Sequence, residues 1–175
     1  FTPLSSVDKI VVRENYSTEL AKTIYEQIPY PSNKGIYERD FMEYTDRDGE
    51  VDALAKLIEN RHTFVRFRYV REDGLPAQYI PDFFVRFGND VFIVETKAQD
   101  QVSHGNVVRK QKAAVRWCER INRLPIHKRE GLTWHYAILG HATFYDWKNK
   151  NMSVRQMLEF AELRNNDVRE SGRLF

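Results

Sequence analysis

The chain has 175 residues, 42% of them hydrophobic and 30% charged, with a net charge of +2, which suits a soluble domain with one hydrophobic core. No stretch approaches the roughly 18 apolar residues of a membrane span, and the opening FTPLSSVDK lacks the basic start and apolar run of a secretory signal. Its single cysteine, Cys118, excludes an internal disulfide and Cys-based zinc sites, so a cytoplasmic setting is expected.

In chain order, DKIVV (8–12) reads as a short strand. STELAKTIYEQI follows as an amphipathic helix, with Leu20, Ile24 and Ile28 four apart and Ser17 as its cap. PYPSNKG (29–35) is a cluster of breakers and a natural boundary. The expected organisation is a leader over 1–31, a core over 32–147, and a C-terminal helix and tail over 148–175. The missing initial methionine suggests a fragment of a longer protein.

A helical pattern runs from Ile36 to Asn60, interrupted near 46–49, with Leu54, Leu57 and Ile58 as the apolar stripe of its second part. Strands are expected over 63–71, where Val65, Phe67 and Tyr69 alternate with arginines, and over 79–87 and 91–97. A helix over 106–122 carries Val107, Ala114, Cys118 and Ile121 near one stripe. LTWHYAIL (132–139) reads as a strand. Ser153 with Gln156 starts a last helix as a capping box, and the tail from 164 is expected to dock loosely. From residue 36 the order is α-β-β-β-α-β, an α/β fold with a mixed central sheet flanked by helices.

Charge is unevenly spread. Residues 101–130 hold eight Lys or Arg against Glu119 and Glu130, and residues 61–71 add Arg61, Arg66, Arg68 and Arg71. Residues 38–52 hold seven acids and two arginines. A basic face beside an acidic pocket suits a polyanion held next to metal ions; solvated helix faces are the alternative.

YIPDFFVRFGNDVFIVETK (79–97) places charge inside the most apolar part of the chain. With Gly88-Asn89 as a two-residue type II′ loop, the numbers of opposed residues sum to 177, so Asp82 faces Glu95 and Ile80 faces Lys97. Opposed residues of an antiparallel pair share a face. Asp82, Glu95 and Lys97 therefore gather at one end of the hairpin, while Phe83, Val85, Phe87, Phe92 and Val94 form a core surface on the other face. Two desolvated carboxylates need a cation, and a hard ion such as Mg²⁺ suits them. The ammonium would stabilise charge on a phosphate oxygen, or orient or deprotonate a water. An ordinary Glu95–Lys97 ion pair beside an exposed Asp82 fits the same spacing.

At these residues the chain resembles the PD-(D/E)xK nuclease superfamily. Pro81-Asp82 is similar to its first acidic motif and Glu95-Thr96-Lys97 to its second, and the α-β-β-β-α-β order is similar to its core. More narrowly, YIPDFFVRF, VFIVETK and KQKAAVRWCERIN resemble the C-terminal endonuclease domain of type III restriction enzymes, with Lys110, Ala113, Ala114, Trp117 and Asn122 fitting the last pattern. The resemblance implies Mg²⁺-dependent cleavage of double-stranded DNA, with Mn²⁺ able to substitute. Asp82, Glu95 and the Thr96 carbonyl would be metal ligands, and Lys97 the catalytic lysine. Glu38, with Glu43 as runner-up, would be the acid from the first core helix. Lys110, Gln111, Lys112 and Arg116 are candidates for DNA contact or site support.

No GxxxxGK[ST] loop is present in the sequence, so the resemblance assigns ATP use to an upstream translocase domain and sequence recognition to a methyltransferase subunit. A repair or junction-resolving nuclease of the same superfamily, and a non-catalytic DNA-binding module, are the alternatives. The five histidines show no metal-ligand spacing, and Trp117, Trp134 and Trp147 are expected to pack in or near the core.

Overall fold

Phe83–Phe87 and Asp90–Lys97 pair antiparallel about Gly88-Asn89, and this hairpin is the centre of the fold. The computed structural model describes residues 2–33, 35–102 and 105–171, with side chains through Leu163. In chain order its elements are β1 (Ser17–Glu19), β2 (Gln27–Pro29), α1 (Ile36–Arg47), β3 (Ala53–Lys56), β4 (Phe67–Val70), β5 (Pro76–Tyr79), β6 (Phe83–Phe87), β7 (Asp90–Lys97), α2 (Gly105–Asn122), β8 (Thr133–Gly140), α3 (His141–Asn149) and α4 (Val154–Ser171). Phe87 faces Asp90 and Phe83 faces Val94, the register expected from the sequence. Gly88 takes φ +59°, a left-handed backbone that the turn requires and a side chain resists.

The central sheet runs β3-β6-β7-β8, antiparallel except for the parallel β7–β8 pair. A parallel pair needs a long crossover, and α2 provides it. One sheet face, carrying Phe83, Val85, Phe87, Phe92, Val94, Ala137 and Leu139, is buried under α1, α3 and α4. Ile93, Tyr136 and Ile138 of the other face pack with Ala114 and Cys118 of α2 and with Phe67 and Tyr79 of β4 and β5. Burial on both faces explains why six consecutive residues of β7, Val91 to Thr96, are buried. The result is an α/β protein with a four-stranded mixed sheet packed against helices. Among the described residues no helix is long and apolar enough to cross a membrane.

Several local expectations are corrected. Residues 8–12 form no strand, and 17–29 form the β1–β2 hairpin rather than a helix. Leu20 and Ile28 are buried but Ile24 is 54% exposed, so the spacing of four does not mark one face. Ser17 sits in β1 and caps no helix. The stretch around Leu54 is β3, because pairing with β6 overrides the helix preference of ALAK. The expected strand 63–71 shrinks to β4 and pairs only with β5, outside the central sheet. The expected strand 79–87 splits at Pro81, which has no N–H to donate. Helix α3 was not expected at all.

α2 and β8 lie where expected. The capping box at α4 forms as well: Ser153 N–H donates to Gln156 Oε1 (3.1 Å), and Gln156 N–H to Ser153 Oγ (3.3 Å). The helix continues through Ser171, past the expected start of the tail. The leader is tied to the core: Ala21 and Lys22 N–H donate to the Asp46 carboxylate at 3.1 and 2.8 Å, and Leu54 N–H of β3 donates to the Lys22 carbonyl at 2.8 Å.

Far from the charged end of the central hairpin, His135 stacks on Phe92 with ring centroids 4.6 Å apart. One ring nitrogen meets Glu162 and the other Asp90, each at 3.2 Å. Burial lowers the imidazole pKa, but the bonds and charges of Glu162 and Asp90 outweigh it and hold the value above the ordinary one. A cation stabilised in this way contributes fully below the unfolded pKa, near 6.5, and the contribution is lost as pH rises through the folded value. His135→Gln is therefore expected to lower the melting temperature more at pH 6 than at pH 9. Equal losses at both pH values would reject a charged His135.

Candidate active site

Lys56 at the end of β3, Asp82 just before β6, and Glu95 and Lys97 at the end of β7 meet at one end of the sheet, because β3 and β7 both run antiparallel to the β6 between them. Pro81 ends the preceding extended segment, and the Asp82 carbonyl accepts the Leu57 N–H at 2.8 Å. The Asp82 carboxylate then bridges to β7: its Oδ2 accepts both the Thr96 N–H and the Thr96 hydroxyl, each at 2.8 Å. These bonds fix Asp82 beside Glu95. Lys97 Nζ lies 2.7 Å from Glu95 Oε1. Glu95 is only 3% exposed, and its other oxygen, Oε2, is buried without a hydrogen-bond partner.

Burial raises the Glu95 pKa to about 7, and the Asp82 charge adds to the rise; Lys97 and Lys110 oppose it. Burial lowers the Lys97 pKa, but Glu95, Asp82 and Glu38 outweigh that and hold it above the ordinary lysine value. The ammonium gains from three carboxylates, while Glu95 bears desolvation and the repulsion of Asp82. The hydroxyl of Tyr136, two residues before the Ile138 that pairs with Glu95, is likewise buried, beside the Tyr79 hydroxyl and within reach of the Glu95 charge.

Glu38, in the first turn of α1, acts on Lys97 through its charge. Its carboxylate forms an ion pair with Lys56, whose ammonium also lies 4.8 Å from the centre of the Phe83 ring. Glu43 accepts from Thr18 Oγ1 at 3.0 Å and meets Arg39 and Arg47, which commits it to the leader. Among the described residues no group of three His, Cys, Asp or Glu is placed to hold a metal ion. Two carboxylates nevertheless suit Mg²⁺, which takes one or two from the protein and keeps several waters. An orphaned buried carboxylate oxygen on Glu95 fits such an ion, since a buried acceptor without a partner is costly.

Of the candidates on α2, Lys110 lies over the Tyr79 and Tyr69 rings, 5.1 and 5.9 Å from their centres, with its charge acting on Glu95. Gln111 is buried. Lys112 and Arg116 are exposed and line a groove between α2 and β4, away from the carboxylates. Trp117 and Trp134 pack beside the second core, and Trp147 beside the first. His62 is buried, accepts the Ile58 N–H at 2.9 Å, and has its pKa lowered by burial. His104 lies outside the described residues.

Sequence reasoning missed Lys56, hidden in a stretch that reads as helix, and Tyr136, which only the β7–β8 pairing brings near Glu95. Compared with protein-family models, curated proteins and solved structures, the chain finds no match in any of the three.

Proposed function

We propose that this chain is a Mg²⁺-dependent endodeoxyribonuclease domain of the PD-(D/E)xK kind, the cutting part of an ATP-dependent restriction enzyme. The observation that carries the reading is the Glu95 carboxylate, buried, with one oxygen on Lys97 and the other without a partner, beside a fixed Asp82. The element order adds support. With the β4–β5 hairpin taken as an insertion, α1-β3-β6-β7-α2-β8 is the α-β-β-β-α-β order of a restriction-endonuclease-like core.

Asp82, Glu95 and the Thr96 carbonyl would hold the metal, which when bound supplies Lewis-acid polarisation of the scissile phosphate. Lys97, oriented by Glu95, stabilises negative charge developing on a phosphate oxygen and positions the attacking water. In the metal-free protein Glu95, Asp82 and Glu38 hold its pKa above the ordinary lysine value, which favours the cation. Lys110 offsets part of the Glu95 charge. Glu38 stays with Lys56, so the site is read with two protein carboxylates. ATP-driven translocation and sequence recognition belong, on this reading, to an upstream ATPase domain and a methyltransferase subunit.

The test is plasmid cleavage with Mg²⁺ or Mn²⁺, compared with EDTA and with Asp82→Ala and Lys97→Ala. Metal-dependent nicking or linearisation, lost in both variants, is expected. If the isolated chain is folded but inactive, the assay is repeated on the full assembly with ATP. Binding without cleavage there would leave a nuclease-like DNA-binding module in place of an enzyme.

A further inference from the structure

The basic residues of α2 follow a helical rule. Arg109, Lys112, Arg116 and Arg120, with Arg123 one residue past the helix, succeed one another at steps of three or four, so they form a single stripe. The buried stripe of the same helix runs through Gln111, Ala114 and Cys118. The basic stripe is one wall of a groove of about 620 Å³, whose other wall is Arg68, Tyr69 and Val70 of β4. All six cations of the groove are exposed, and one carboxylate, Glu119, shares it.

The groove does not contain Asp82, Glu95 or Lys97, but its α2 wall also carries Lys110, next to Arg109. Lys110 connects the two regions, with its ammonium over the ring of Tyr69 and its charge acting on Glu95. The charges suit a ligand that is anionic along its whole length. From Arg109 to Arg120 the stripe extends about 16 Å at the helical rise, roughly five nucleotides at 3.4 Å per strand. A wall of one helix facing one hairpin strand suits contact with a single sugar–phosphate backbone. Contacts of this type go to phosphate and carry no base preference.

We propose that the α2–β4 groove binds the phosphodiester backbone of one nucleic-acid strand flanking the cleavage point, independently of any metal. The inference rests on the nuclease reading for what lies at the groove's end, but it is tested apart from cleavage. That backbone belongs either to a single strand or to one strand of a duplex, and the experiment separates these sources.

The experiment measures binding of fluorescein-labelled single-stranded and duplex 20-mers to the whole chain in EDTA, at several salt concentrations, by anisotropy. Arg116→Gln/Arg120→Gln is compared with the wild type and with Arg61→Gln/Lys128→Gln, which removes equal charge outside the groove. The groove variant is expected to lose about tenfold or more in affinity, and the magnitude of its salt slope to fall by about 2. Its melting temperature should match that of the wild type, since both positions are exposed. Preference for the single strand or the duplex identifies which backbone the groove takes.

Equal loss in the two double variants would overturn the proposal, reducing it to net charge. So would tighter binding of a polyglutamate peptide, which would make the groove a surface for acidic protein. Cleavage that survives without groove-dependent binding would keep the nuclease reading and remove the groove. Groove-dependent binding without cleavage in the full assembly would do the reverse.

Discussion

Exchanging Glu95 for glutamine is expected to raise the melting temperature of the metal-free protein at pH 8 and to change it little at pH 5. The folded pKa of Glu95 is about 7 against an ordinary value of 4.5, so the folded state holds this proton more tightly than the unfolded chain does. A carboxyl of this kind contributes fully below about pH 4.5, and the contribution is lost as pH rises through 7. The shift corresponds to a few kcal/mol at most. The ion pair to Lys97 offsets part of the burial cost, which leaves a gain of several degrees, at about 2–4 °C per kcal/mol for a chain of this size. At pH 5 the wild-type side chain is a neutral acid, and glutamine nearly reproduces its shape. Thermal melts in EDTA at the two pH values are the check. A variant that melts below the wild type at pH 8 would show that Lys97 fully offsets the burial of Glu95. On the proposed reading, the same substitution is expected to remove Mg²⁺ affinity in calorimetry.

Asp82 carries the second large effect, because its carboxylate has two tasks. It accepts two hydrogen bonds from Thr96, itself only 6% exposed, and it supplies the second carboxylate beside Glu95. Asp82→Ala strands a buried N–H and a hydroxyl, and is expected to cost about 2–3 kcal/mol of stability. Asp82→Asn keeps an acceptor in the same place and is expected to cost under about 1 kcal/mol. Metal-dependent cleavage is nevertheless expected to fall at least about 100-fold in both. Urea unfolding beside plasmid cleavage separates the tasks. Cleavage retained by Asp82→Asn would mean that Asp82 only braces the hairpin.

The central hairpin was legible to the residue, because a glycine turn and a strict alternation leave few registers. α2, β8 and the α4 capping box were legible for a similar reason, since each is written in neighbouring residues. What failed was set by distant partners. ALAK has helix formers at each position, yet it lies as a strand because β6 offers it a ladder. Leu20 and Ile28 reach the core from two strands and the bend between them, so the same spacing that suggests a helix arises from a hairpin. The site divides in the same way. Asp82, Glu95 and Lys97 followed from parity within one hairpin, whereas the ion pair of Glu38 with Lys56 depends on where β3 lies beside α1. The arginine stripe and the arginines of 63–71 were visible as charge, but their placement on facing walls was not, because β4 was expected inside the central sheet.

The bond from Leu54 to the Lys22 carbonyl bears on how the protein is kept from associating with itself. β3 is the outermost strand of the sheet on its side, and the leader occupies part of its outward hydrogen-bonding edge. Leu20 and Ile28 fill the core from the same segment. Trimming to the segment that carries the motifs would uncover both a strand edge and an apolar socket, the two features by which sheets join end to end into aggregates. The segment 17–29 therefore covers the sheet's edge, and the smallest fragment that keeps that edge covered is larger than the smallest one that holds Asp82, Glu95 and Lys97.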